Sequence, residues 1–294
     1  MTLPVKTIVA TGASSGLGFE VIKQRLDQAA QPYNFILGVR NLAKTEAAYS
    51  TLTFDHSLHK LTFVRLDLSS LATVRTFADQ ALAALGQTPL DHLLLNAATS
   101  NPATAPGPHG SKWSETYIVN HLSQHYLIHL LRPKLIESAS RLVFVSSASF
   151  REVQDPAVFE HDLLAASGTP GRKLYAETKF VNLLGAHWWR RDLMGKCIVV
   201  AVSPGLVPGT NIGKGMGVDF TMEWPGARRV EDGAASIIEA LKRNDFPDDP
   251  DLVFLTSWGE WWGRGVLEMT LDKGLQDRWC PGKEEIEREE GLDA

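Results

Sequence analysis

The sequence predicts a doubly wound α/β fold: one domain on a parallel sheet of about seven strands, with helices on both faces. Three observations predict it. Seven short apolar runs recur along the chain, most intervals between them could hold a helix, and the runs are apolar at nearly every position rather than alternating. Strands covered by helices on both sides have that composition, and right-handed crossovers then wind the sheet both ways.

The first run, "KTIVAT" (6–11), passes through the glycine-rich "TGASSGLG" (11–18) into "FEVIKQRL" (19–26), which reads as a helix. "NFILGVR" (34–40), "KLTFVRLD" (60–67), "DHLLLNA" (91–97) and "RLVFVSS" (141–147) follow, and then "CIVVAVSPG" (197–205) and "DLVFLT" (251–256). Each is bounded by Gly, Asn, Asp or Ser, the residues that end strands and open turns. Irregular stretches at 99–112, about 148–174 and about 205–226 read as loops or lids above the sheet, not as domain boundaries. The polar tail from about 281 to 294, "GKEEIEREEGLDA" at its end, reads as a solvated acidic helix end with no role.

Composition narrows the function. At 294 residues and 44% hydrophobic, the chain can bury a large core in one domain. A balance of 29 basic against 34 acidic side chains, with the basic ones scattered, argues against a nucleic-acid binder. Cys197 and Cys280 supply neither a disulfide framework nor metal-ligand spacing, so both are expected free. No apolar leader precedes the first strand and no run is long enough to span a membrane, so a cytoplasmic, soluble protein is expected.

A strand, a tight glycine turn and a helix N-terminus together present unpaired N–H groups and the positive end of a dipole. Gly12, Gly16 and Gly18 would let a diphosphate approach the backbone; close strand–helix packing is the plainer explanation of such a turn. Phe19 and Glu20 stand where a nucleotide-hydrolysing loop needs Lys and Ser/Thr, which favours a dinucleotide over a triphosphate. The second strand has no acid to take the ribose hydroxyls of NAD and ends at Arg40, which suits the 2′-phosphate of NADP(H) unless it is a surface arginine. In "LYAETKF", Tyr175 and Lys179 share a helix face, so a fixed cation beside the phenol would lower its pKa and make it a proton donor; a surface pair at this spacing is common by chance.

In this order the motifs resemble those of the short-chain dehydrogenase/reductase family across nearly the whole chain, with its Rossmann-type fold. "TGASSGLG" is similar to the family's TGxxxGxG loop, "LDLSS" to its adenine-side element, "LLLNAA" to NAG, and "IVN", "VFVSS", "YAETK" and "SPGLV" to its remaining signatures. "LNAA", "VRNLAK" and "LDLSSLATVRTFADQ" look most like the protochlorophyllide reductase and retinol dehydrogenase branch. The resemblance implies a cofactor site of Gly12, Ser14, Ser15, Gly16, Leu17, Gly18 and Arg40, with Asp67 and Leu68 on the adenine side. Asn96, Ala97, Tyr175, Lys179, Pro204, Gly205, Val207 and Thr210 complete it, although Thr210 matches the family threonine only loosely.

The resemblance also implies Tyr175 as general acid, Lys179 as ribose binder, Ser147 as hydrogen-bond donor to the substrate oxygen, with Ser146 its substitute, and Asn120 as holder of a relay water. The expected reaction is NADPH-dependent reduction of a carbonyl, or oxidation of the corresponding alcohol, of a hydrophobic small molecule such as a polyketide, terpenoid or retinoid. The pocket walls are expected from residues after Ser147, from the loop after Asn96 and from Leu206 to about Pro225, which includes the apolar Met216, Phe220, Met222 and Trp224. A non-redox cyclase or isomerase using the cofactor as scaffold, and a non-catalytic dinucleotide-binding module, are the alternatives. His121, His125 and His129 form a helical stripe with the spacing of a zinc or nickel site, but no metal is expected there: helix packing, beside a face that could pair a homodimer, explains it better. Trp258, Trp261 and Trp262 read as core or interface.

Overall fold

The computed structural model describes residues 3–292. Its sheet holds seven parallel strands in the order β3-β2-β1-β4-β5-β6-β7: β1 Lys6–Thr11, β2 Tyr33–Val39, β3 His59–Arg65, β4 His92–Leu95, β5 Arg141–Val145, β6 Ile198–Val202 and β7 Phe254–Leu255. The order reverses between β1 and β4, which opens a crevice at their carboxyl ends, the place where ligands bind in sheets of this kind. Helices follow as α1 Gly16–Leu26, α2 Leu42–Tyr49, α3 Leu71–Leu85, α4 Glu115–Tyr117, α5 Ser123–Glu137, α6 Phe159–Asp162 and α7 Gly171–Asp192. The last five are α8 Ile212–Met216, α9 Val230–Lys242, α10 Arg264–Leu267, α11 Lys273–Trp279 and α12 Lys283–Glu289.

Neighbouring strand residues point to opposite faces, and both faces are buried, which explains the continuous apolar runs. Val9, Leu93, Leu95, Leu142 and Phe144 pack in the core under α3, α5 and α7. Ile8, Ala10, Leu94, Val143 and Val145 pack on the other side with Val21, Ile22, Ile237 and Ile238 of α1 and α9. All seven expected runs contribute a strand, although the last is reduced at the sheet edge to Phe254 and Leu255. The first helix begins earlier than Phe19, because Gly16 to Gly18 form its first turn.

The acidic tail corrects the expectation of a solvated end. Ile286 and Glu287 of α12 are buried, and Glu287 Oε1 accepts hydrogen bonds from Tyr126 OH (2.6 Å) and Arg75 (3.0 Å). Ser111 also donates to Glu290 (3.1 Å), Lys112 pairs with Glu289 (2.9 Å), and Leu292 packs against the core, so several contacts dock an otherwise charged helix. Asp293 and Ala294 lie outside the described residues.

The histidine stripe serves this docking. Nε2 of His121 donates to the carbonyl of Trp279 (2.7 Å), and Nε2 of His125 to that of Pro281 (2.9 Å), which also lies 3.2 Å from His129 Nε2. Cys280 joins His121 and His125, their ligating atoms lying within 4.8 Å of one another. The Trp189 indole N–H, however, donates to His125 Nδ1 at 2.9 Å. The neutral ring must therefore carry its proton on Nε2, the nitrogen a metal would need, and spends it on a backbone carbonyl. The stripe face is filled by this chain's own residues 279–281 and is not open to a second copy. Both cysteines are free. Trp262 stacks on Phe254 at 4.6 Å, a packing role as expected, whereas Trp258 is exposed.

Candidate active site

The glycine turn divides its work between packing and access. A Cβ on Gly18 would lie 2.3 Å from the Gly12 carbonyl oxygen, and one on Gly12 would lie 2.7 Å from Ala97 Cα. Both serve close packing. Gly16 differs: its φ of +56° favours glycine, yet a Cβ there would meet only the Thr210 methyl at 3.7 Å. The open space before Gly16 belongs to a cavity of about 510 Å³ at the switch point. The N-terminus of α1 has no acid in its first turn and no side-chain cap, so its first N–H groups point unpaired at this space. Its opposite wall is held by Asn96, whose Nδ2 donates to the carbonyl of Gly12 (3.0 Å). Thr11 Oγ1 accepts from the N–H groups of Asn96 (3.0 Å) and Ala97 (3.1 Å).

Arg40 lies on the same cavity, exposed at the end of β2, and pairs with no acid among the described residues. Ser14, Ser15, Leu17, Asp67, Leu68 and Ala97 also line it, as do Pro204 and Thr210. Asp67 Oδ1 accepts from the Ser69 N–H (3.0 Å) and hydroxyl (2.8 Å), which fixes it at the cavity edge. An anion-seeking turn, an unpaired guanidinium and a groove between them fit a dinucleotide. Gly18, Gly205 and Val207 do not reach the cavity. Gly205 turns the chain at φ +87°, and Val207 is buried with its carbonyl accepting from Thr210 Oγ1 (3.0 Å).

At the other end, α7 brings Tyr175 and Lys179 to the cavity wall, one helical turn apart. Lys179 is buried; its Nζ donates to the carbonyl of Val145 (2.8 Å) and lies 5.5 Å from the centre of the Tyr175 ring. Burial pushes this ammonium down to about 7. The phenol does not show the lowering expected from its spacing: burial pushes it up to about 12, and only a hydrogen bond from Ser147 opposes the rise. Ser147 thus stands against the reactive phenol, whereas Ser146 is buried with its hydroxyl turned to the Lys179 carbonyl (3.5 Å).

Asn120 is fully buried in a π-helical turn, Ile118–Leu122, between α4 and α5. Its Oδ1 accepts from the Thr99 N–H (2.8 Å), and its Nδ2 donates to the Thr99 carbonyl (2.8 Å) and to Thr178 Oγ1 (3.0 Å). That side chain braces the 96–99 loop against α7; both its N–H donors are spent, and its Oδ1 keeps one lone pair.

Comparison with known proteins now decides the family. The profile described as short chain dehydrogenase matches residues 6–155. A short-chain dehydrogenase/reductase of Pestalotiopsis microspora is 53% identical over 285 residues, covering 96% of this chain and 98% of that one. The chain belongs to the short-chain dehydrogenase/reductase family. Retinol dehydrogenase 12 of Homo sapiens is 31% identical over 208 residues, 70% of this chain and 62% of that protein, which places the motifs on the retinol dehydrogenase-like side. This chain spans little more than half, 57%, of the human WW domain-containing oxidoreductase that it also matches at 32% identity. NADPH-bound carbonyl reductase from chicken fatty liver shares the fold, with a TM-score of 0.63 at 18% identity over 89% of this chain and all of that one.

For a short-chain dehydrogenase/reductase, two features escape motif reading. Gln124 ties the turn to the 96–97 strand end: its Oε1 accepts from Thr11 Oγ1 (3.2 Å) and its Nε2 donates to the Ala97 carbonyl (3.0 Å). The expected apolar walls are the second, and the structure corrects them. None of Leu206, Met216, Phe220, Met222 and Trp224 lines the cavity. Phe220 and Trp224 pack on each other at 5.2 Å, and Met222 and Trp224 are exposed. The loop after Asn96 and the 206–225 stretch do line it, as expected, but through the polar Asn101, Asn211 and Lys214, joined by Glu115, and not through those apolar side chains.

Proposed function

We propose that this chain is an NADPH-dependent oxidoreductase that reduces the carbonyl of a small molecule, or oxidises the corresponding alcohol. The observation that carries this reading is Tyr175, with Ser147 against its phenol, and Lys179 on the wall of a cavity that also holds the glycine turn and the unpaired Arg40. When bound, the nicotinamide supplies hydride to the carbonyl carbon. Tyr175 gives its proton to the carbonyl oxygen while Ser147 donates a hydrogen bond to that oxygen, and the two fix its position. Lys179 binds the nicotinamide ribose, and Arg40 takes the 2′-phosphate. A phenol pushed up to about 12 is protonated near neutral pH and so carries the proton that carbonyl reduction requires.

The substrate we infer has an apolar body and a polar group remote from its carbonyl. Val119 and Ile212 offer apolar surface in the cavity, and Asn101, Glu115 and Lys214 offer hydrogen bonds and charge.

Tyr175→Phe tests the reading. Turnover, followed as NADPH consumed together with alcohol formed on a panel of ketones and aldehydes, should fall by about 10²- to 10⁴-fold, while calorimetric NADPH affinity stays within about twofold. Retention of more than about a tenth of the rate would sink the proposal. Product formed at the normal rate without NADPH consumption would favour the cyclase or isomerase, and no turnover with intact NADPH binding the non-catalytic module.

A further inference from the structure

Ser147 ends β5 in an extended conformation (φ −156°, ψ 146°), and the chain then curls into the 3₁₀ turn Ala148–Glu152. The curl brings residue 149 back beneath the Ser147 side chain. Ser147 Oγ accepts from the Ser149 backbone N–H at 3.2 Å and from the Ser149 hydroxyl at 2.9 Å. A serine oxygen has two lone pairs and one hydrogen. With both lone pairs filled from the Ser149 side, Ser147 has only its hydrogen left to offer, and the Tyr175 phenol lies within its reach.

We infer that Ser149 is a positioning residue that fixes the direction of both reacting hydroxyls. This rests on the carbonyl reduction proposed above. Without the Ser149 hydroxyl, a lone pair on Ser147 opens, and the Tyr175 O–H can donate to it. The phenol proton then points at Ser147 and away from the carbonyl oxygen that must receive it. With Ser149 in place, Ser147 cannot accept: it donates, and the Tyr175 proton stays free for transfer. Ser149 itself gains or loses nothing in the reaction. Its hydrogen bonds also strengthen Ser147 as a donor, because each donor bonded to an oxygen polarises the O–H that the oxygen carries.

Ser149→Ala removes the hydroxyl contact and keeps the backbone N–H one, so the turn survives; Ser149→Thr keeps both. In Ser149→Ala, turnover with NADPH on the best ketone of the panel should fall about three- to tenfold, the share of one hydrogen bond, with the KM for NADPH unchanged. Ser149→Thr should restore it. In a Ser147→Ala background, Ser149→Ala should cost nothing further, because its only target is gone. A second readout needs no turnover. The ultraviolet signal of phenolate formation, wild type minus Tyr175→Phe, should move to higher pH in Ser149→Ala and return in Ser149→Thr.

The inference is overturned if the Ser147 and Ser149 effects multiply independently, or if Ser149→Ala leaves both turnover and the Tyr175 titration where they were. It also falls if Ser149→Thr fails to restore them. Failure of the broader reading looks different: Tyr175→Phe stays active, or no carbonyl compound consumes NADPH. The phenolate titration still decides the role of Ser149 in either event.

Discussion

Arg40 shows how much one side chain can decide. It directly follows β2 without an acidic partner among the described residues, at a point where the neighbouring wall offers only Asp67, whose carboxylate is already held by Ser69. A free guanidinium facing a cofactor groove is a site for a doubly charged phosphate, and a charge-assisted pair of this type contributes about 1.5 to 3 kcal/mol. Arg40→Asp should therefore weaken NADPH at least about tenfold and leave NADH little changed, as read by calorimetry on both cofactors. Equal affinity of the unaltered protein for NADH and NADPH would show that Arg40 is a surface arginine only. Lys179 is the converse case, a residue whose role was legible from its spacing but whose state was not. The i, i+4 relation to Tyr175 predicts a pair, but no spacing predicts that its Nζ turns to the Val145 carbonyl while burial governs both groups.

At the scale of elements, the strand–turn–helix unit from Lys6 to Leu26 looked like one device for approaching a ligand, and it is two. Gly12 and Gly18 let the turn close against its own backbone and the 96–97 segment, while Gly16 faces the cavity. Substitution should separate them. Gly16→Val places a branched side chain in the space the diphosphate needs; calorimetry should find NADPH binding abolished, with a loss of stability of about 1 to 2 kcal/mol from the left-handed conformation. Gly12→Ala adds a clash with backbone to the same conformational cost, so it should lower the melting temperature more than Gly16→Ala does. The reverse order would mean that the turn relaxes without help from Ala97. Sequence cannot assign these parts, because the contact that distinguishes Gly12 from Gly16 comes from residues some 84 positions further along.

Across the whole molecule, what could be read and what could not follow one rule: local periodicity leaves a trace in composition, and distant pairing does not. The seven strands were legible because helices cover both sheet faces, and the helix carrying Tyr175 and Lys179 because its spacing is local. The docked C-terminal segment was not: Glu287 finds Tyr126 across 161 positions, and the three histidines find carbonyls about 150 positions away. The same distant pairings set how stability depends on pH. Burial lowers the pKa of His59, His92, His121, His125, His129 and His187, so below about 6.5 the unfolded chain binds protons that the folded one refuses. Stability is therefore complete above that pH and is lost as pH falls, by up to about 1.4 kcal/mol per pH unit for each histidine. Glu177 acts in the opposite sense. Burial and the neighbouring Asp162 push its carboxyl up to about 8, so it stabilises the folded chain while protonated, and that contribution is lost as pH rises from the ordinary carboxylate range to about 8. Six histidines outweigh one glutamate on the acid side. Just above about pH 6.5 Glu177 lowers stability as pH rises, and from about 7 upward Lys179, whose ammonium burial pushes down to about 7, works against that loss, because the unfolded chain still binds the lysine proton. Urea unfolding should therefore find a local maximum near about pH 6.5 and little further decline to about 8. Glu177→Gln, which keeps the shape without the charge, should abolish the decline above about pH 6.5, leave stability rising above about 7 through Lys179, and steepen the acid limb between about 4.5 and 6.5, where Glu177 had partly offset the histidines. A variant that still loses stability over the alkaline limb would place the responsible group elsewhere than the Asp162, Lys173 and Glu177 cluster that anchors α6 to α7.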